Sequence, residues 1–166
     1  MTENLVENIP QEKFLIFTVR EKSYALPSAI ISEVAALEKV FPLPLIPSYA
    51  LGIINRYSVP YALIDVCFFL MEDAENAPQT TEQQGTAALK KIIVLKEEID
   101  KLALLIDDVL DIADISLEEL TKIETGEANF DGPVNASFEW KGSSVFCLEI
   151  DELVKRIKQG FQQHGV

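Results

Sequence analysis

The sequence predicts a mainly β protein built from small β-barrels or a sandwich. Three observations support this fold class: many short apolar segments rich in β-branched residues, turn signals about every 8–12 residues, and little sequence with a helical period. The two halves of the chain also echo each other, since each contains a hairpin, a third strand, a crossing segment and further strands. A length of 166 residues suits one domain or two small lobes packed together.

The first half opens with a hairpin after a polar stretch, residues 1–12, that we expect to be a flexible tail. Apolar residues over 14–19 are followed by a short polar turn and a second apolar strand at 24–26. Pro27 closes this strand. The next segment is predicted to form a helical turn and then a strand around 31–37.

Three prolines mark the middle of the first half. Pro42, Pro44 and Pro47 fix φ and lack an amide hydrogen, so this segment is predicted to be extended and to lie outside any central strand. The half is completed by two predicted strands and a short helix, at 51–55, 59–65 and 66–70. The polar residues 72–86 then predict a surface loop and the boundary between lobes.

The second half is predicted to contain three consecutive strands, with a turn at Glu97 and Glu98 between the first two. Ser116 and Glu119 have the spacing of a capping box, which opens a short helix. A turn-rich loop at 125–133 follows. A second hairpin is predicted to turn at Lys141 and Gly142.

The chain is predicted to end in an amphipathic helix. Asp151 has the residue type and position of its N-terminal cap, and Gly160 those of its stop. The apolar face consists of Leu153, Val154 and Ile157. Residues 159–166 are expected to form a second flexible tail.

The charge of the chain excludes several classes of partner. Fourteen Lys and Arg against 27 Asp and Glu give a formal net charge of −13, whereas nucleic acids and anionic membrane surfaces both select cations. No apolar run approaches the roughly 20 residues that cross a bilayer, and the N-terminus has no signal-peptide pattern. We therefore expect a cytoplasmic protein with no nucleic-acid partner and no direct membrane insertion.

The sequence contains no recognisable catalytic, cofactor or metal motif. Its one histidine, His164, lies in the polar C-terminus, and its 7 glycines are scattered. Four aspartates near 107–114 have two interpretations, a cation site or turn and edge residues. Asp107 and Asp108 point to opposite faces of a strand, and the spacing of a Ca²⁺ loop is missing. We expect no enzyme activity, no cofactor and no metal. Cys67 and Cys147, inside apolar segments, are expected to be buried free thiols.

Four segments, in order, resemble the CheW-like family of bacterial chemotaxis coupling proteins. They are "KFLIFTVREKSYALPSAIISEV" near the start, "GIIN" after Pro47 with Asp65 ten residues beyond Asn55, "LALLIDDVLDIADISLEEL", and "SSVFCLEIDELV" near the end. The likeness marks residues 13–158 as a single CheW-like domain.

This resemblance implies two five-stranded SH3-like β-barrels that share a hydrophobic core and form interleaved lobes, one at about 31–86 and the other from the remainder. It implies no catalysis. The implied partners are the regulatory domain of a CheA-type histidine kinase and the cytoplasmic tip of a chemoreceptor (a methyl-accepting chemotaxis protein). The receptor tip, a helical hairpin, would lie in a groove between the barrels. The groove residues carried over from the family are Ile31, Glu33, Asn55, Arg56, Tyr57 and Ile112. For Ile31 and Ile112 a second interpretation, plain core residues, stays open.

The segment "GIINRYSVPYALIDV" departs from the family pattern. Where the family has Arg followed by Gly, this chain has Tyr57 and Ser58. An arginine offers a planar fork of five donors, whereas a tyrosine offers one hydroxyl and a ring. Three interpretations remain: Arg56 compensates, receptor coupling is weak, or the protein is a scaffold of a divergent chemosensory system such as pilus motility. A small ligand-binding β-barrel that uses the acidic residues is the alternative from another class.

Overall fold

The computed structural model describes residues 10–70, 90–123 and 132–163. The loop predicted at 72–86, most of the loop at 125–133, and His164 lie outside these residues. Within them, the predicted fold class is confirmed: the chain is mainly β, with two sheets and few helices.

Eleven strands and two α-helices form the described part of the chain. The strands are β1 (Gln11–Val19), β2 (Lys22–Pro27), β3 (Ile31–Ala36), β4 (Ala50–Arg56), β5 (Val59–Asp65), β6 (Lys91–Leu95), β7 (Leu102–Ile106), β8 (Asp108–Ser116), β9 (Thr121–Lys122), β10 (Val134–Trp140) and β11 (Ser143–Leu148). The α-helices are α1 (Cys67–Leu70) and α2 (Ile150–Gln163), and short 3₁₀ turns occupy Ser28–Ile30 and Leu117–Glu119. No helix in these ranges is long and apolar enough to span a membrane.

Each sheet combines a hairpin from one half of the chain with strands from the other half. In the six-stranded sheet, ordered β8-β1-β2-β11-β10-β9, the β1–β2 hairpin pairs with β8 on one side and, in parallel, with β11 on the other. In the five-stranded sheet, ordered β3-β6-β7-β5-β4, the β6–β7 hairpin pairs with β3 and, in parallel, with β5. The five-stranded sheet thus runs from β3 to β7 and extends past residue 86, the expected end of its lobe.

The five-stranded sheet is curled, so that its two edge strands approach each other. The segment 37–49, which we call the crossing segment, leaves β3 and passes to β4. Within it, Phe41 and Ile53 exchange two backbone hydrogen bonds of 2.8 Å each. This bridge joins the crossing segment to β4, and the edges β3 and β4 do not pair with each other in the described residues, so the sheet approaches a barrel without a closed ladder.

Alternation along the strands divides the apolar side chains into three clusters. On β1, Phe14 and Ile16 face the inside of the six-stranded sheet, whereas Leu15 and Phe17 face the central core between the two sheets. The central core also contains side chains of the five-stranded sheet and of α2, including Ile93, Leu95, Leu104, Leu153 and Ile157. A third cluster fills the inside of the five-stranded sheet. The predicted shared core is therefore confirmed.

The predicted local signals of the second half are also present. Ser116 and Glu119 form the capping box: the Glu118 amide donates to Ser116 Oγ at 3.3 Å, and the Ser116 amide donates to Glu119 Oε2 at 2.9 Å. The short helix that they open is a 3₁₀ turn. Cys67 and Cys147 are buried and free, as expected.

The prediction for the ends of α2 was wrong at both termini. The helix begins at Ile150, so Asp151 lies within its first turn, and it continues through Gly160 to Gln163. Gly160 instead permits a close approach. A Cβ at this position would collide with the Tyr49 hydroxyl, which donates a buried hydrogen bond of 2.5 Å to the Ile157 carbonyl. The glycine therefore reflects tertiary packing rather than helix termination.

Candidate partner-binding site

The β4–β5 hairpin projects an aromatic side chain into solvent. Its two turn residues, Tyr57 and Ser58, have φ of +52° and +67°. Two consecutive positive φ angles are the pattern of a type I′ turn, which normally contains Asn and Gly. Other L-residues cost roughly 1–2 kcal/mol each in this region. Tyr57 is 84% exposed, so this cost is not offset by burial within the chain.

Arg56, the residue before this turn, is held inside the chain by two carboxylates. Its Nε lies 2.5 Å from Glu33 Oε1, and its Nη1 lies 3.4 Å from Glu38 Oε2. The hydrogen bond to Glu33 is the main cause that raises the pKa of Arg56 above its usual value. Only 17% of the Arg56 side chain is exposed. The hairpin therefore does not present a free guanidinium.

Cations also contact the exposed aromatic rings of this region. The guanidinium carbon of Arg56 lies 5.5 Å from the Tyr57 ring centroid, and Lys39 Nζ lies 4.8 Å from that of Phe41. A small cavity of about 100 Å³ lies beside them, lined by Asn55 together with Arg56, Glu38 and Phe41. Four predicted site residues, Glu33, Asn55, Arg56 and Tyr57, are thus brought together.

Ile31 and Ile112 border the central core from different sheets. Ile31, on β3, is partly buried and packs against that core. Ile112, on β8, lies directly opposite Leu15 of β1, and cross-strand partners share a face of the sheet. Because Leu15 belongs to the central core, Ile112 lies at its margin. With 55% of its surface exposed, Ile112 is not a plain core residue. No described contact joins Ile112 to the group around Arg56.

Several exposed apolar side chains were not among the predicted site residues. In the crossing segment, Phe41, Leu43 and Leu45 are 46%, 44% and 83% exposed, and Leu110 beside Ile112 is 44% exposed. Clustered exposed apolar surface is typical of protein–protein contact sites. In the sequence, the apolar residues of the crossing segment alternate with prolines, and this pattern by itself indicates only extended backbone.

The acidic residues 107–108 contact basic residues within the chain. Asp107 accepts a hydrogen bond of 2.6 Å from the Arg20 amide and lies 3.7 Å from Lys90, whereas Asp108 pairs with Lys91 at 2.5 Å. The hydrogen bond from Lys91 lowers the pKa of Asp108. No three His, Cys, Asp or Glu side chains of the described residues come together as a metal site requires. This geometry favours the interpretation of these aspartates as turn and edge residues.

Comparison with known proteins connects this architecture to one family. A family model described as CheW-like domain matches residues 13–158. Among solved structures, the crystal structure of the scaffolding protein TtCheW from Thermoanaerobacter tengcongensis is similar, with a TM-score of 0.68 and 17% sequence identity over 84% of each chain. At this identity the likeness concerns the fold alone. No curated protein sequence matches the chain significantly.

Proposed function

The chain belongs to the CheW-like domain family, and from this membership we propose that it is a non-catalytic adaptor of chemotaxis signalling. In this role it couples a CheA-type histidine kinase to the cytoplasmic tips of chemoreceptors, and it works in the cytoplasm. The observation that carries the proposal is the family match, which spans both sheets. The description of TtCheW as a scaffolding protein supports it.

The proposed receptor site is the groove defined by Ile31, Glu33, Asn55–Tyr57 and Ile112. Its apolar members border the central core from both sheets, and its charged members lie on the five-stranded sheet. An amphipathic helix binds in this kind of groove, with its apolar face on the isoleucines and polar contacts at the rim.

Calorimetry with the purified full chain tests the proposal. The ligands are the regulatory domain of the kinase and the receptor tip fragment encoded in the same genome. We expect each to bind with a Kd of tens of micromolar or tighter, about −6 kcal/mol or more favourable. Failure of both ligands to bind at that concentration contradicts the adaptor function.

A matched pair of variants locates the receptor site. Ile112→Ala should weaken receptor binding, whereas Leu117→Ala, which truncates an apolar side chain of similar exposure, should not. Equal losses in the two variants would argue against the groove.

A second candidate function is a scaffold of a divergent chemosensory system, such as pilus motility. The exposed Tyr57 and the paired Arg56 favour it, because the hairpin lacks a free arginine. This version predicts that the wild-type chain binds the kinase but not a standard receptor tip, and that Tyr57→Arg restores receptor binding. A variant that still fails to bind the receptor tip contradicts this version.

A further inference from the structure

In the β4–β5 hairpin, the ring of Tyr57 is exposed to solvent, whereas the guanidinium of Arg56 is held inside the chain by Glu33 and Glu38. Tyr57 as a residue is 84% exposed, whereas the side chain of Arg56 is only 17% exposed. Tyr57 is also a bulky residue at a positive φ, where such residues are rare. Positive φ also occurs at Arg20, Glu21 and Lys141, so the exposure of the ring rather than the backbone angle distinguishes this turn.

A chain of contacts fixes the position of the Tyr57 ring. Glu33 on β3 and Glu38 in the crossing segment hold the Arg56 guanidinium, and this group in turn lies 5.5 Å from the ring centroid. An aromatic side chain that is ordered before binding loses little conformational entropy when a partner covers it. Exposed tyrosines with these properties are among the commonest binding hot spots.

We propose that Tyr57 determines binding specificity for the receptor tip at the groove, that Arg56 is its positioning residue, and that the receptor tip receives the ring in an uncharged apolar pocket. This inference rests on the proposed function, since it assigns a role within the same groove. It also names the chemistry of the partner: the receiving pocket carries no carboxylate for an arginine fork.

The charges around the β4–β5 hairpin cancel one another. A pocket on the partner that is complementary to this surface is therefore expected to be uncharged. Arg56 and Glu33 neutralise each other at 2.5 Å. The adjacent Glu38 and Lys39 carry opposite charges, so this surface has almost no net charge despite a chain total of −13. Burial of the ring then dominates the contact, and its contribution should not depend on ionic strength.

Calorimetric titrations at 50 and 500 mM NaCl test the proposal, with the kinase regulatory domain and the receptor tip as ligands. For the receptor tip, Tyr57→Ala should weaken binding by about 30-fold, as hot-spot truncation does, and by the same factor at both salt concentrations. Tyr57→Phe should stay within about threefold of wild type, because it keeps the ring. Lys141→Ala, at a turn of the same type whose lysine also lies over a ring, is the matched control and should bind as wild type.

A folded-state control separates binding from stability. Tyr57→Gly should melt at or above the wild-type temperature, because glycine adopts the positive φ without strain, and it should still lose binding. Arg56→Gln should weaken binding in the wild-type background but have no further effect in the Tyr57→Ala background. Additive losses overturn the positioning role.

Several outcomes overturn the proposal. They are wild-type affinity of Tyr57→Ala, a loss that disappears at 500 mM NaCl, tighter binding by Tyr57→Arg, or an equal loss in Lys141→Ala. If the wild-type chain does not bind the receptor tip, the proposed receptor coupling fails and this inference fails with it. If the wild-type chain binds and Tyr57→Ala binds equally well, only this inference fails.

Discussion

Glu33 and Arg56 lie on opposite edge strands of the five-stranded sheet, yet Glu33 Oε1 and Arg56 Nε are 2.5 Å apart. In a flat sheet of this order, three strands would separate them, at about 4.8 Å per strand step. The contact therefore records the curl of the sheet. It ties β3 to β4, which share no backbone pairing in the described residues, whereas the Phe41–Ile53 bridge joins only the crossing segment to β4.

Loss of this ion pair should loosen the curled sheet. Glu33→Gln or Arg56→Gln is expected to lower the free energy of unfolding by about 1–2 kcal/mol, since each leaves a partly buried charge with a weaker partner. Urea denaturation measures the loss, and the double variant should cost less than the sum of the single variants. Asp108→Asn, which breaks the more exposed pair with Lys91, serves as control and should cost less. An equal loss of unfolding free energy in Asp108→Asn would contradict a particular role of the Glu33–Arg56 pair in holding the curled sheet.

Gly160→Ala should destabilise the protein, although the same change in an exposed helix is stabilising. The added methyl group would collide with Tyr49, whose hydroxyl donates to the Ile157 carbonyl. Overpacking of this kind costs about 1–3 kcal/mol. Thermal and urea unfolding check the sign. Tyr49→Phe removes the colliding oxygen, so it should recover part of the loss in the double variant; a purely additive double variant would refute the contact.

The turns of the β4–β5 and β10–β11 hairpins should respond in opposite directions to changes at their second positive-φ residue. Ser58 has φ of +67° and Gly142 has φ of +80°, and a Cβ at Gly142 would meet nothing within 4 Å. Ser58→Gly is expected to stabilise the fold by about 1 kcal/mol, and Gly142→Ala to destabilise it by a similar amount, because only backbone strain changes. Melting temperatures decide the question. A neutral Gly142→Ala would mean that strain at this turn is negligible.

Stability should fall at alkaline pH because burial raises the pKa values of several tyrosines and cysteines, most of all those of Tyr24 and Cys147. Burial raises the pKa of Tyr24 from 10.0 to about 12 and, with a smaller contribution from Glu12, that of Cys147 from 9.0 to about 12. Between about pH 9 and 12 the unfolded chain therefore loses protons that the folded chain keeps. Because the unfolded state binds fewer protons, its free energy falls relative to the folded state as pH rises.

The variant Tyr24→Phe isolates one of these groups. It should remove roughly 2–3 kcal/mol of the decline in unfolding free energy between pH 10 and 12. Urea denaturation at intervals of half a pH unit measures the two profiles. Identical slopes for wild type and variant above pH 10 would exclude Tyr24 as a source of the decline.

Local features of the fold could be predicted from the sequence. Apolar alternation and the Lys141–Gly142 turn predicted the β10–β11 hairpin, and the Ser116–Glu119 spacing predicted a capping box, because both depend on residues close in the chain. The arrangement of the candidate site was harder to predict from the sequence. The sequence indicated Glu33 and Arg56 as site residues through the family resemblance, but not that they bind each other, since their pairing requires the curl of a whole sheet.

By itself, the sequence determined the positions of most strands, the turns between them, the buried thiols and the absence of a long apolar span, since these follow from side-chain pattern and backbone preference over a few residues. Only the tertiary structure decided that each sheet takes its hairpin from the opposite half, that Gly160 packs against Tyr49, and that Tyr57 rather than Arg56 faces solvent. These features depend on contacts between residues distant in the chain. The free energy of such contacts is realised only when the two sheets pack around their common core.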